Sequence, residues 1–128
     1  MDVNTHKSVD PGLCGQPETL GEGLARVAFT ALPAMAADDR GLVHGGFVFG
    51  LADYAAMLAV NDPNVVLGAA EVRFTAPVVV GETLMAEARL TDTAGKKRLV
   101  TVTVRRGEDA VFTGTFTCFV PEKHVLDR

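Results

Sequence analysis

The residues best suited to chemistry are His44-Gly45-Gly46 and the carboxylate of Asp53, seven positions past the second glycine in the apolar stretch GLVHGGFVFGLADYAAMLAV, residues 41–60. A Gly pair opening a helix leaves backbone N–H groups unpaired at the positive end of the helix dipole, where a developing oxyanion would be stabilised. The same pair could serve only as a turn that needs positive φ. Asp is a poor interior helix residue, and burying its charge without a partner is costly. Asp53 therefore has two readings: a side chain facing solvent or bonded to a neighbouring strand, or a carboxylate in a dry cleft poised to take a proton from water. At 100° per residue Gly46 and Gly50 fall near the Asp53 side of a helix, which leaves room there for a ligand or another backbone. His44 could be a base, a hydrogen bonder to substrate or a cap. With no Ser or Cys nucleophile beside it there is no triad, and positioning is the favoured role.

Seven residues span about 10 Å of helix axis, too far for Asp53 to act on a group bound at its own helix start. A two-fold dimer removes the difficulty if one chain supplies the N–H donor and the other the carboxylate.

The elements that must position these groups follow from periodicity. Residues 1–21 carry Asp10-Pro11-Gly12, Gly15, Pro17 and Gly21 without periodicity and read as an irregular leader lying on the surface or on a partner subunit. LARVAFTAL, residues 24–32, alternates as a half-buried strand that Pro33 ends. A helix is predicted from Gly46 to about Val60, stopped at NDPN by Pro63. AAEVRFTAP, TLMAEARLTD, RLVTVTVRR and AVFTGTFTCFV then read as four strands of an antiparallel meander, joined by the short links VVVGE, TAGKK and RGED. The fold class is α+β in a single domain, with no βαβ repeat. A helix apolar on nearly every face must be wrapped by a curled sheet, covered by a second subunit, or both, so a homo-oligomer is expected.

Composition narrows the function classes. The 128 residues are 48% hydrophobic and 22% charged, enough for one compact core. A net charge of −4 and a pI near 5.3 provide no broad field for nucleic acid or an anionic membrane. The N-terminus lacks a signal-peptide pattern, and the apolar run broken by Asp53 is too short to span a bilayer, so a cytoplasmic protein is expected. Cys14 and Cys118 read as reduced thiols. His6, His44 and His124 are scattered without ligand spacing, so no metal is expected, and no phosphate-binding glycine loop suggests a cofactor.

HGGFVFGLAD at 44–53, the strand ending RFTAP at 73–77 and GETLMAEARL at 81–90 together resemble the PaaI-like acyl-CoA thioesterases of the hotdog fold, over about residues 22–120. The resemblance implies a curled sheet around a central helix, no cofactor, and a site at a dimer interface of a dimer or dimer of dimers. There Asp53 would be general base or nucleophile, the Gly45 N–H would polarise the thioester carbonyl, and His44 would shape the pocket. Such enzymes commonly carry Asn six residues before the His; this chain has Asp38, with Asp39 beside it. A second carboxylate near Asp53 would raise the pKa of one of the pair, unless the loop holds Asp38 outside the site. The Ser or Thr that some relatives place after the helix is absent from VVLGAAEV.

CoA phosphates need local cations in so acidic a chain. The turn Gly95-Lys96-Lys97-Arg98 is the best basic cluster, and the resemblance places CoA contacts there and near Thr75–Pro77. Arg105 and Arg106 are the runner-up, about 25 Å along a strand from Lys97. The expected activity is thioester hydrolysis. The alternative is a non-catalytic acyl-CoA binding or sensing module on the same fold, motivated by Asp38 and the missing hydroxyl. A DNA-binding regulator has no evident reader segment, and a hotdog dehydratase lacks its His motif before the helix.

Overall fold

A computed structural model describes residues 1–127. Period-two alternation carries directly into β2 (Leu24–Thr30), where Ala25, Val27 and Phe29 are buried while Arg26 and Thr30 face solvent. After the helix come β3 (Val66–Phe74), β4 (Thr83–Ala94), β5 (Lys97–Arg106) and β6 (Asp109–Phe119). Together with β1 (Gln16–Gly21), all pair antiparallel in one sheet of order β1-β2-β4-β5-β6-β3. With α2 (Gly45–Val60) packed in its curl, this is the α+β hotdog architecture.

Two expectations change. The four strands after the helix are not a single meander: β2 takes one edge of β4, in register from Leu24 opposite Arg89 to Thr30 opposite Thr83, so β3 pairs with β6 at the far side. Residues 75–82 therefore cross between distant strands instead of turning a hairpin. On the way Val78 C=O accepts from Val43 N (2.8 Å) and Val80 N donates to Gly41 C=O (2.9 Å), clamping the segment that leads into α2.

The leader is also more ordered than its composition suggests. Gln16–Gly21 form β1, an edge strand on β2, and Pro11–Cys14 form the single helical turn α1, capped by Asp10. Val3, Val9 and Cys14 pack on the core and Thr5 is buried. Asn61 latches this strap at the C-terminal end of α2: its side chain donates to Asp2 C=O and accepts from Asn4 N, both at 2.8 Å. The cause is the helix itself, buried from Leu51 to Ala59 except at Asp53, whose apolar surface draws in the leader as part of its cover. Gly15, at φ +99, has no room for a Cβ, which would stand 2.7 Å from Ala28 C=O.

Asn61 also ends α2 in the left-handed conformation, φ 55. Asn61→Gly keeps that conformation and removes both latch bonds. It is expected to destabilise the protein by about 1 kcal/mol, read as a lowered urea midpoint. An unchanged midpoint would show that the strap is not held by Asn61.

Candidate active site

The crossing segment and the 3-10 turn Pro33–Met35 deliver His44 to the start of α2, where its N–H donates to Met35 C=O at 2.9 Å. His44 is the N-cap residue, with extended backbone and no capping bond from its side chain. Its exposed ring lies edge-on to Phe47, centroids 6.1 Å apart. Neither Gly45 nor Gly46 has positive φ, so the turn reading of the pair fails. Rings lie close to both. A Cβ on Gly45 would come within 3.2 Å of Phe74 Cε1, and one on Gly46 within 3.2 Å of the His44 ring. As first residues of the helix they have N–H groups with no intrahelical acceptor.

Asp53 sits two turns further along, about 12 Å up the axis from Gly45. Its Oδ1 is buried and has no hydrogen-bond partner among the described residues, against the reading that it bonds a neighbouring strand. Burial holds its carboxyl above the usual carboxylate range. Cys14 of the strap and Cys118 of β6 both lie within reach of its charge. Their thiols are pushed up first by burial and then by Asp53, that of Cys118 to about 11.

Asp38 lies in the loop before the helix. Its Oδ1 accepts from Arg40 N (2.9 Å) and Leu42 N (3.2 Å), shaping that exposed loop. Burial alone raises Asp53, with no contribution from Asp38, so a single chain does not form a carboxylate pair.

A groove of about 360 Å³ opens at the helix start, lined among others by Gly45, Val48, Phe74, Thr75, Pro77 and Val111. Gly45 and Thr75 thus share a site. Thr75 Oγ1 donates to Ala110 C=O at 2.7 Å. Arg106 reaches the same end, donating to Pro77 C=O at 2.7 Å and pairing with Glu82 at 3.3 Å. Gly95, Lys96 and Lys97 do not join them. Lys97 aligns with Phe119 on β6 whereas Phe74 aligns with Phe112, so the basic turn lies about 23 Å away at the opposite end of the strands. Gly95 makes that turn at φ +60, and Lys96 stands 4.0 Å from Glu122.

Phe74 was not among the residues singled out from sequence. Alternation places it on the same face of β3 as Val72, but only the pairing of β3 with β6 brings that face over Gly45.

Residues 40–113 match the family model described as the Thioesterase superfamily. Over 116 residues the chain is 50% identical to a methylthioribose-1-phosphate isomerase of Aquifex aeolicus, covering 91% of this chain and 25% of that protein. It is 29% identical to the transcription factor FapR of Caldanaerobacter subterraneus, covering 68% of this chain and 44% of the other. The chain thus spans a quarter to less than half of these curated relatives. Among solved structures, the uncharacterized protein PH1136 of Pyrococcus horikoshii superposes with a TM-score of 0.98 at 54% identity, over 99% of this chain and 98% of that one.

Proposed function

The chain belongs to the Thioesterase superfamily, and from that premise we propose that it hydrolyses an acyl-CoA thioester to free acid and CoA at a site shared by two subunits. The observation that carries this reading is the orphaned, buried Asp53 Oδ1, remote along the axis from the free N–H groups it would have to work with. In a two-fold dimer, Asp53 of one subunit faces a thioester whose carbonyl oxygen points at Gly45 N–H of the other. Asp53 takes a proton from water, the hydroxide oxygen attacks the carbonyl carbon, and Gly45 stabilises the oxyanion. Collapse breaks the C–S bond, and the departing thiolate is protonated as CoA. Direct attack by Asp53 to form an anhydride, opened by water in a second step, uses the same groups. His44 orients the substrate from the helix start.

The free edge of β3 supports such a dimer. Residues 68–71 are exposed, and their outer edge has no strand partner among the described residues. Antiparallel pairing of two β3 edges would bring the Thr75 end of one chain beside the Gly95–Lys97 end of the other. The basic turn of one chain, which its own strands keep far from its groove, would then meet CoA phosphates at the mouth of the other chain's groove. Sedimentation at micromolar concentration is expected to show a mass at least twice 13.5 kDa. A 13.5 kDa species alone would remove the shared site.

Two free cysteines fit a reducing, cytoplasmic setting for this reaction. The isomerase name of the Aquifex relative belongs to a protein of which this chain spans a quarter, and no feature of the site supports that activity here. The second reading, a non-catalytic acyl-CoA sensor, is favoured by the likeness to a transcription factor. Thiol release from a panel of aryl, short-chain and medium-chain acyl-CoAs separates the two: turnover selects hydrolysis, and saturable binding without turnover selects the sensor.

A further inference from the structure

We infer that the groove beside Gly45 receives the acyl group, not the arm of CoA, and that Phe74 is the wall that sets the acyl size; this rests on the thioesterase reading. Several of the groove's polar groups are already engaged within the chain. Thr75 N donates to Val111 C=O at 2.9 Å and Thr75 Oγ1 to Ala110 C=O, Pro77 C=O accepts from Arg106, and Val78 C=O accepts from Val43 N. The Gly45 N–H remains for the thioester oxygen. The rest of the lining is Leu42, Val48, Phe74, Ala76 and Val111, side chains that offer hydrocarbon contact and nothing to the amides of a pantetheine arm. A volume of about 360 Å³ is at the small end for a ligand site, which suits a compact acyl group.

Phe74 is placed to limit that group. Its ring packs against Gly45, with Cε1, Cζ and Cδ1 between 3.2 and 3.7 Å from the position of a Gly45 Cβ. It leans on Phe112 in a T-shaped contact, centroids 5.2 Å apart, which steadies one edge. The other side is open, and Phe74 is 55% exposed. An acyl carbon attached to a carbonyl held at Gly45 N–H must pass along this ring.

The test compares wild type with Phe74→Ala and the milder Phe74→Leu on acetyl-, isobutyryl-, benzoyl- and octanoyl-CoA, with free CoA as inhibitor. The expected result is a rise of about tenfold in the preference, by kcat/KM, for the bulky acyl groups over acetyl, with inhibition by free CoA unchanged. Equal losses across the panel together with weaker inhibition by free CoA would place the CoA arm in the groove and overturn the inference. So would an unchanged preference in both variants. Thermal melts identify a variant that has lost its fold, in which case Phe74→Leu decides. If the wild type hydrolyses none of the four, the thioesterase reading fails separately, and binding of non-hydrolysable acyl-thioether analogues takes over. A shift in their selectivity in Phe74→Leu supports the groove assignment, and its absence overturns it.

Discussion

Asp53→Asn is expected to lower kcat for thiol release by about 10²- to 10⁴-fold while making the protein more stable at neutral pH. The loss follows from removing the group that takes the proton from water. The gain follows from burial. The folded-state pKa of Asp53 is raised above its ordinary value of 3.8. The folded chain therefore binds this proton more tightly than the unfolded chain, and stability falls as pH rises from about the ordinary value through the raised one. Above that window the full penalty of a buried charge remains. Asn has the same shape and no charge to desolvate. Urea midpoints at pH 4 and pH 7 check the claim: the advantage of the variant should be larger at pH 7. An equal advantage at both values, or none, would mean that Asp53 is not the strained group. In the wild type, kcat/KM should decline on the acid side through a pKa above 3.8 as the base is protonated. Hydrolysis by Asp53→Asn at the wild-type rate would end the assignment.

Gly45→Pro should cost about 10²- to 10³-fold in kcat, the effect of losing one oxyanion donor. The substitution is unusually clean here. Gly45 is the first residue of α2, where proline is tolerated because its N–H has no intrahelical partner. The preceding His44 already has φ −62 and ψ 131, the extended conformation that a following proline requires. The added ring atoms press on Phe74, whose open side lets it yield. Gly45→Ala is the control, with the same Cβ and an intact N–H. If Ala and Pro lose activity equally, crowding of Phe74 is responsible and the N–H is not the donor.

The two variants together test whether a site is shared. Mixed under exchange conditions, Asp53→Asn and Gly45→Pro subunits form heterodimers in which one site draws both intact groups, one from each chain, and the other has neither. Half the dimers are then half active, so about a quarter of wild-type activity should return. No recovery on verified exchange would place both groups in one chain's site.

Much of this molecule is written in local pattern. Alternation in LARVAFTAL and RLVTVTVRR determined β2 and β5, because a strand's two faces must sort apolar from polar side chains. The stop at NDPN and the apolar run before it determined α2 to within one residue. The HGG-to-Asp spacing marked the residues for which chemistry is proposed and, by its length along a helix, implied a second subunit. Non-local pairing was not legible. The four later strands look like a meander because the pattern of each strand records its two faces and says nothing about which neighbour takes its edges. Only the sheet shows that β2 takes the edge of β4, which sends residues 75–82 across to clamp the helix start and sets Phe74 over Gly45. The leader has no periodicity to read, since its order comes from the helix surface it covers and from Asn61, 57 residues away from Asn4 in sequence. The bonding of Asp38 was equally out of reach of pattern: within its own chain its Oδ1 accepts from Arg40 N and Leu42 N of the loop before the helix. Sequence determined which residues carry charge, bulk and flexibility, and tertiary structure decided which of them meet, because contact between distant segments depends on competition for strand edges and apolar surface that no local window contains.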